Sequence, residues 1–102
     1  MVDLGEALKA INNPVRMDIL KWLKEPLENF DVARQQVDAG VEGVCVSLIQ
    51  ERSGLSQSTI SSYLATLQRA QLVVSKRIGA WTYYKRDEEN IAAFLQQLKR
   101  DL

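Results

Sequence analysis

Gly54-Leu55-Ser56-Gln57-Ser58-Thr59-Ile60-Ser61-Ser62-Tyr63-Leu64 holds a turn, a helix start and two opposed helix faces. Gly54 suits the left-handed conformation that ends a preceding helix, and Ser56 is among the favoured caps for a following one. Ile60, Leu64 and Leu67 then recur at i, i+4, i+7 and predict a buried stripe. With about 100° between residues, Ser58, Ser62 and Arg69 fall on the far side, flanked by Ser61, Ala65 and Thr66. Serine and threonine are weak helix formers, so their density on one face has a propensity cost that a function would explain. The stretch predicts a helix, a tight turn and a second helix whose outer face is short and polar.

Upstream, Ser47-Leu48-Ile49-Gln50 matches a capping box and predicts a helix from about Leu48 to Ser53, entered from an extended Val44-Cys45-Val46. Near the start, Leu4, Leu8 and Ile11 predict a short amphipathic helix ending at Asn12-Asn13. Asn13 caps the next helix with Pro14 at its first position, Val15, Ile19, Leu20 and Leu23 face inward, and Pro26 stops it. From 27 to 43 the pattern is weakest: a short helix from Asp31 to Ala39 ended by Gly40, or an ordered loop.

Downstream the period changes to that of strands. Val73 to Ile78, Gly79-Ala80, then Trp81 to Lys85 predict a β-hairpin. Asp87 caps a last helix with Glu88 and Glu89 in its first turn and Lys99 and Arg100 in its last, as the helix dipole favours. The order is helix, helix, loop, helix–turn–helix, hairpin, helix. It predicts a mainly α chain with a β-hairpin wing, a winged helix-turn-helix occupying 1–102 as a single domain.

Charge is distributed unevenly. The chain has 13 basic and 13 acidic residues. Between Arg52 and Arg86, however, there is no Asp or Glu, while Arg52, Arg69, Lys76, Arg77, Lys85 and Arg86 all lie there. A face that approaches phosphates needs this separation more than it needs a positive total. The composition, 46% hydrophobic and 25% charged, is that of an ordinary globular domain. Histidine is absent and Cys45 is the one cysteine, which removes disulfides, cysteine-cluster metal sites and the commonest general base. Catalysis is not expected. No apolar run approaches the ~18–20 residues of a membrane span, and Met1-Val2-Asp3-Leu4-Gly5-Glu6 lacks a basic-then-apolar signal, so a cytoplasmic chain with no membrane partner is expected.

These features point to double-stranded DNA. A helix within a groove ~12 Å wide favours short donors and acceptors on its base-facing side. Gln57, Ser58, Thr59, Ser61, Ser62 and Thr66 are the candidates there, with Arg69 at the rim. Lys76, Arg77, Lys85 and Arg86 flank the hairpin and are candidates for backbone phosphates or an adjacent minor groove. Strand alternation puts Trp81 and Tyr83 on one face, which suits core or interface better than base stacking. The competing reading is a winged-helix interaction module that does not bind DNA.

Asn13-Pro14-Val15-Arg16, Leu55 to Ser61 with Leu64 and Leu67, the exit Gln71-Leu72-Val73, and Tyr83-Tyr84 resemble the ArsR/SmtB family of bacterial winged-helix repressors over nearly the whole chain. The stretch from about 27 to 43 is longer than the family pattern. The resemblance implies a homodimer formed by the first and last helices, binding a partly palindromic operator until a small-molecule effector releases it. Leu4, Leu8 and Ile11 would supply the interface from one helix, and Ile91, Phe94, Leu95, Leu98 and Leu102 from the other. Metal-sensing members carry a Cys-x-Cys pair where this chain reads Cys45-Val46-Ser47, and the last helix has no histidine. One thiolate does not make a tetrahedral soft-metal site, so no metal and no cofactor are expected. Redox sensing through Cys45 is the remaining alternative, although its Val-Cys-Val setting favours a buried, inert thiol.

Overall fold

The computed structural model describes residues 2–102. Helix α1 (Leu4–Ile11) is capped by Asp3, whose carboxylate accepts the Glu6 N–H at 2.9 Å. Helix α2 (Pro14–Lys24) starts as the sequence predicts, with Asn13 Oδ1 accepting the N–H groups of Val15 and Arg16 at 2.9 and 3.0 Å. Pro26 ends this helix but also opens another. Its fixed φ and missing N–H are harmless at a first helical position, where α3 (Pro26–Asn29) begins.

The stretch from 27 to 43 is a largely irregular connection that holds short helical pieces. A single 3-10 turn, Val32–Arg34, is followed by α4 (Ala39–Glu42). The predicted helix from Asp31 to Ala39 does not form, and Gly40 lies inside α4 rather than ending a helix. The cap decides this: Asp38 Oδ1 accepts the Gly40 N–H at 2.8 Å, which starts the helix only there. Gly43 ends it at φ 99°, and a Cβ there would clash with the Tyr84 carbonyl oxygen. Gly43→Ala should therefore destabilise the chain by roughly 1–3 kcal/mol from backbone strain alone, before the clash. A urea midpoint equal to that of the unsubstituted chain would contradict this close approach.

Strand β1 (Val44–Cys45) leads directly into α5 (Val46–Ser53). The predicted capping box is absent: Cys45 takes the cap position without a side-chain bond, and Ser47 Oγ lies 3.2 Å from Cys45 Sγ. Pairing with β3 holds the backbone extended through Cys45 and releases it into the helix at Val46, before Ser47 can cap. Gly54, at φ 71°, makes the predicted left-handed turn into α6 (Gln57–Arg69), and Ser56 Oγ accepts the Thr59 N–H.

Strands β2 (Val73–Ile78) and β3 (Trp81–Arg86) form the predicted hairpin, paired from Val73↔Arg86 to Ile78↔Trp81. β1 adds a third, antiparallel strand on the other side of β3. Helix α7 (Glu88–Asp101) closes the fold, capped by Asp87 through the Asn90 N–H. Ile60, Leu64 and Leu67 are fully buried beside Ile19, Ile49, Leu72, Val44 and Val73, so the predicted stripe anchors α6 in the core. Among the described residues no helix is long and apolar enough to cross a membrane.

Candidate nucleic-acid interface

With its inner stripe sealed in the core, α6 turns a continuous polar face outward. Gln57, Ser58, Ser61, Ser62 and Arg69 are exposed, and Thr59 and Thr66 are half-buried beside them. Thr59 is partly committed to the helix start, accepting from Ser56 Oγ at 2.9 Å. Thr66 donates to the Ser62 carbonyl at 3.1 Å, and its hydroxyl oxygen accepts from Arg69 Nη2 at 3.4 Å. The side chains at the centre of this face remain short and open, as a groove requires.

The exit of α6 is locked by a feature that the sequence does not advertise. Gln71 sits at φ 66°, its N–H bonds to the Gln68 carbonyl and the Leu72 N–H bonds to the Leu67 carbonyl. This is a Schellman termination with glutamine where glycine is usual. Asn90 on α7 donates to the Gln71 carbonyl at 3.1 Å and ties that turn to the last helix.

Arg16 lies in the first turn of α2, within Asn13-Pro14-Val15-Arg16. Its Nε donates to the Ala10 carbonyl at 2.6 Å and its Nη2 to the Lys9 carbonyl at 3.2 Å. Its guanidinium also lies over the Tyr63 ring, 5.3 Å from the centroid. One side chain therefore joins the last carbonyls of α1 to the flank of α6.

The wing cations are less available than the sequence suggests. Arg86 donates from Nε and Nη2 to both carboxylate oxygens of Glu88 at 2.9 Å and is largely buried. Lys85 donates to the Val41 carbonyl at 2.9 Å, and Lys76 pairs with Glu42 at 2.8 Å. Arg52 is drawn onto the Trp22 ring and Asn29 Oδ1. Arg86 is thus corrected from a phosphate candidate to a brace between the wing and α7, because Glu88 follows it closely enough in sequence for a bidentate pair. The exposed side chain of Arg77 has no hydrogen-bonding or ion-pair partner among the described residues, whereas the exposed Arg69 donates from Nη2 to Thr66 Oγ1 at 3.4 Å. The acid-free block stays contiguous in sequence, but the fold returns two carboxylates to it.

The chain itself uses part of the predicted dimer surface. Phe94 is 4% exposed and belongs to the core, which corrects its assignment to an interface. Leu95 on the adjacent face is 55% exposed, Leu8 is 40% exposed, and Leu4, Ile11, Ile91 and Leu98 are half-buried. The wide stripe on α7 splits because the adjacent Phe94 and Leu95 point about 100° apart, one into the core and one toward solvent.

Cys45 is buried at 6% exposure beside a small cleft of about 210 Å³ that Gln35, Ser47, Trp81 and Tyr83 help to line. Gln35 braces the site by accepting the Cys45 N–H and donating to the Gly43 carbonyl. Nearby, hydrogen bonding and then charge attraction from Arg34 hold the Glu51 carboxyl below its ordinary range, and the same contacts raise the guanidinium. That pair is fully exposed and therefore contributes little to stability. Burial pushes the Tyr84 phenol upward.

No protein-family profile matches the chain. It is 45% identical over 97 residues to the HTH-type transcriptional regulator YbzH of Bacillus subtilis, covering 95% of this chain and 96% of that protein. It is 31% identical over 83 residues to ArsR2 of Halobacterium salinarum, named as an arsenical resistance operon repressor, covering 81% of this chain but 58% of that longer protein. Among solved structures it resembles the homodimeric winged helix-turn-helix DNA-binding domain of Mb0332 from Mycobacterium bovis. That likeness has a TM-score of 0.64 at 25% identity, over 95% of this chain and 77% of that one.

Proposed function

The chain belongs to the ArsR/SmtB family of DNA-binding winged helix-turn-helix transcriptional regulators, and from that membership we propose that it is a homodimeric, metal-independent repressor of a partly palindromic operator. The observation that carries the reading is α6, with three core anchors on one side and Gln57, Ser58, Ser61 and Ser62 exposed on the other. Such a helix reads base edges with short side chains, while Arg69 and Arg77 reach the phosphates around it.

Repression is supported by the kind of protein ArsR2 is named as, and dimerisation by the homodimeric state of the Mb0332 domain. Metal independence rests on the donor set. Cys45-Val46-Ser47 offers one thiolate, and that sulfur already contacts Ser47 Oγ. Its burial also speaks against Cys45 as an oxidant sensor, which needs an accessible, thiolate-rich sulfur.

Footprinting on the DNA upstream of the chain's own gene tests the proposal. A protected, roughly symmetric pair of half-sites about one helical turn apart, ~34–36 Å, is the expected result. Binding should fall steeply with added salt, as phosphate contacts require, and should not respond to added Zn(II) or Cd(II). A chain that ignores duplex DNA even at low salt would instead be an interaction module.

A further inference from the structure

We propose that α4 and Gly43 form a lock on the wing, in which Glu42 occupies Lys76 in place of a DNA phosphate. The proposal rests on the regulator reading and assigns that surface a built-in competitor. By strand register, Val74, Lys76, Tyr83, Lys85 and Cys45 share one face of the sheet, opposite the face of the buried Val44 and Val73. The segment before β1 meets this face: Gln35 accepts the Cys45 N–H and shares a cleft with Tyr83, which is 3% exposed. Three contacts fasten it there. Lys85 Nζ donates to the Val41 carbonyl, Gly43 packs against the Tyr84 backbone more closely than any side chain allows, and Glu42 pairs with Lys76.

The Glu42 pair is asymmetric in a way that a purely structural bridge need not be. The Glu42 side chain is 22% exposed, and its buried Oε2 has no hydrogen-bond partner among the described residues besides the ammonium 2.8 Å away. The Lys76 side chain is 63% exposed, so a phosphate can approach the ammonium from the solvent side. Taking Lys76 would strand a partly buried carboxylate and bring two like charges together on one cation. Each phosphate contact by this lysine therefore works against the lock, and the wing engages only where the rest of the interface is good enough to open it. The extra length between 27 and 43 thus acquires a role, since it carries the competing carboxylate to the wing.

The test compares Glu42→Gln with the unsubstituted chain on a mixed-sequence duplex, because wing–phosphate contacts do not depend on sequence. Glutamine keeps the shape and removes the charge. Affinity at moderate salt should rise roughly 5- to 10-fold, and the log–log salt slope should steepen by about 0.9 for each wing that gains a phosphate contact. The double variant Glu42→Gln/Lys76→Gln should lose both gains. Unchanged affinity and slope in Glu42→Gln overturn the lock, and so does a gain that survives in the double variant, since it then does not act through Lys76. If Glu42→Gln fails to fold, the side-chain carboxyl carbon resonance of Glu42 in the unsubstituted chain decides instead. It should shift on saturation with duplex, and a resonance that stays in place overturns the proposal. Failure of the unsubstituted chain to bind any duplex would overturn the regulator reading, which distinguishes that outcome from failure of the lock alone.

Discussion

Ser62→Glu is expected to lower duplex affinity at least about 100-fold, because like charges forced together at an interface cost several kcal/mol. Ser62 lies at the centre of the exposed face of α6. A carboxylate there would enter the groove between two rows of phosphates and meet base edges rich in acceptors. The fold should not notice the change, since an exposed helical position usually moves stability by no more than ~0.5 kcal/mol. The bond from the Thr66 hydroxyl to the Ser62 main-chain carbonyl does not involve the substituted side chain. Loss of binding with an unaltered melting curve therefore implicates the face rather than the fold. A gel-shift titration showing wild-type affinity would remove this face of α6 from DNA recognition.

Leu95→Glu is expected to convert a dimer into a monomer and to weaken operator binding with it. Leu95 is 55% exposed within one chain, so the substitution leaves the core around Phe94 untouched. In a two-fold assembly of terminal helices, the same residue would lie in an apolar interface, where an unpaired carboxylate is strongly unfavourable. Leu8, also exposed, and the half-buried Ile91 and Leu98 extend that surface along α1 and α7. A stable dimer needs about 1,200–2,000 Å² of total buried surface, which a single helix edge does not supply, so both terminal helices should take part. Sedimentation should show the unsubstituted chain as a dimer at about ten micromolar or above, with stability that rises with concentration. A Leu95→Glu protein that remains a DNA-binding dimer would move the interface elsewhere. Within one chain, Arg16 links α1 to α6, because it bonds the last carbonyls of α1 and lies over the Tyr63 ring of α6.

The sequence was most legible where one local rule had no competitor. Asn13 before Pro14 capped α2, Gly54 made the turn, and Ser56 with Ile60, Leu64 and Leu67 placed α6 in the correct rotation. The polar face followed directly, because a helix buried on one stripe exposes the opposite one. The reading failed where a second element competed. Ser47 lost its capping role to strand pairing at Cys45. Phe94 and Leu95 look alike in an apolar stripe, and only packing against α1 and the core sends one inward and the other out.

The same distinction governs the charges. Sequence alone determined that cations gather between Arg52 and Arg86 without a carboxylate among them, and that neither histidine nor a cysteine pair is present to hold a metal. It could not determine which of those cations stay free. Glu42 lies more than thirty residues before Lys76 in the chain, yet the two meet at 2.8 Å because β1 carries the end of α4 to β3, which in turn pairs with β2. Helix rotation and capping are set by neighbours a few residues away and can be read from order. Ion pairing and burial across the wing depend on which distant segments the sheet brings together, and only the tertiary structure decides that.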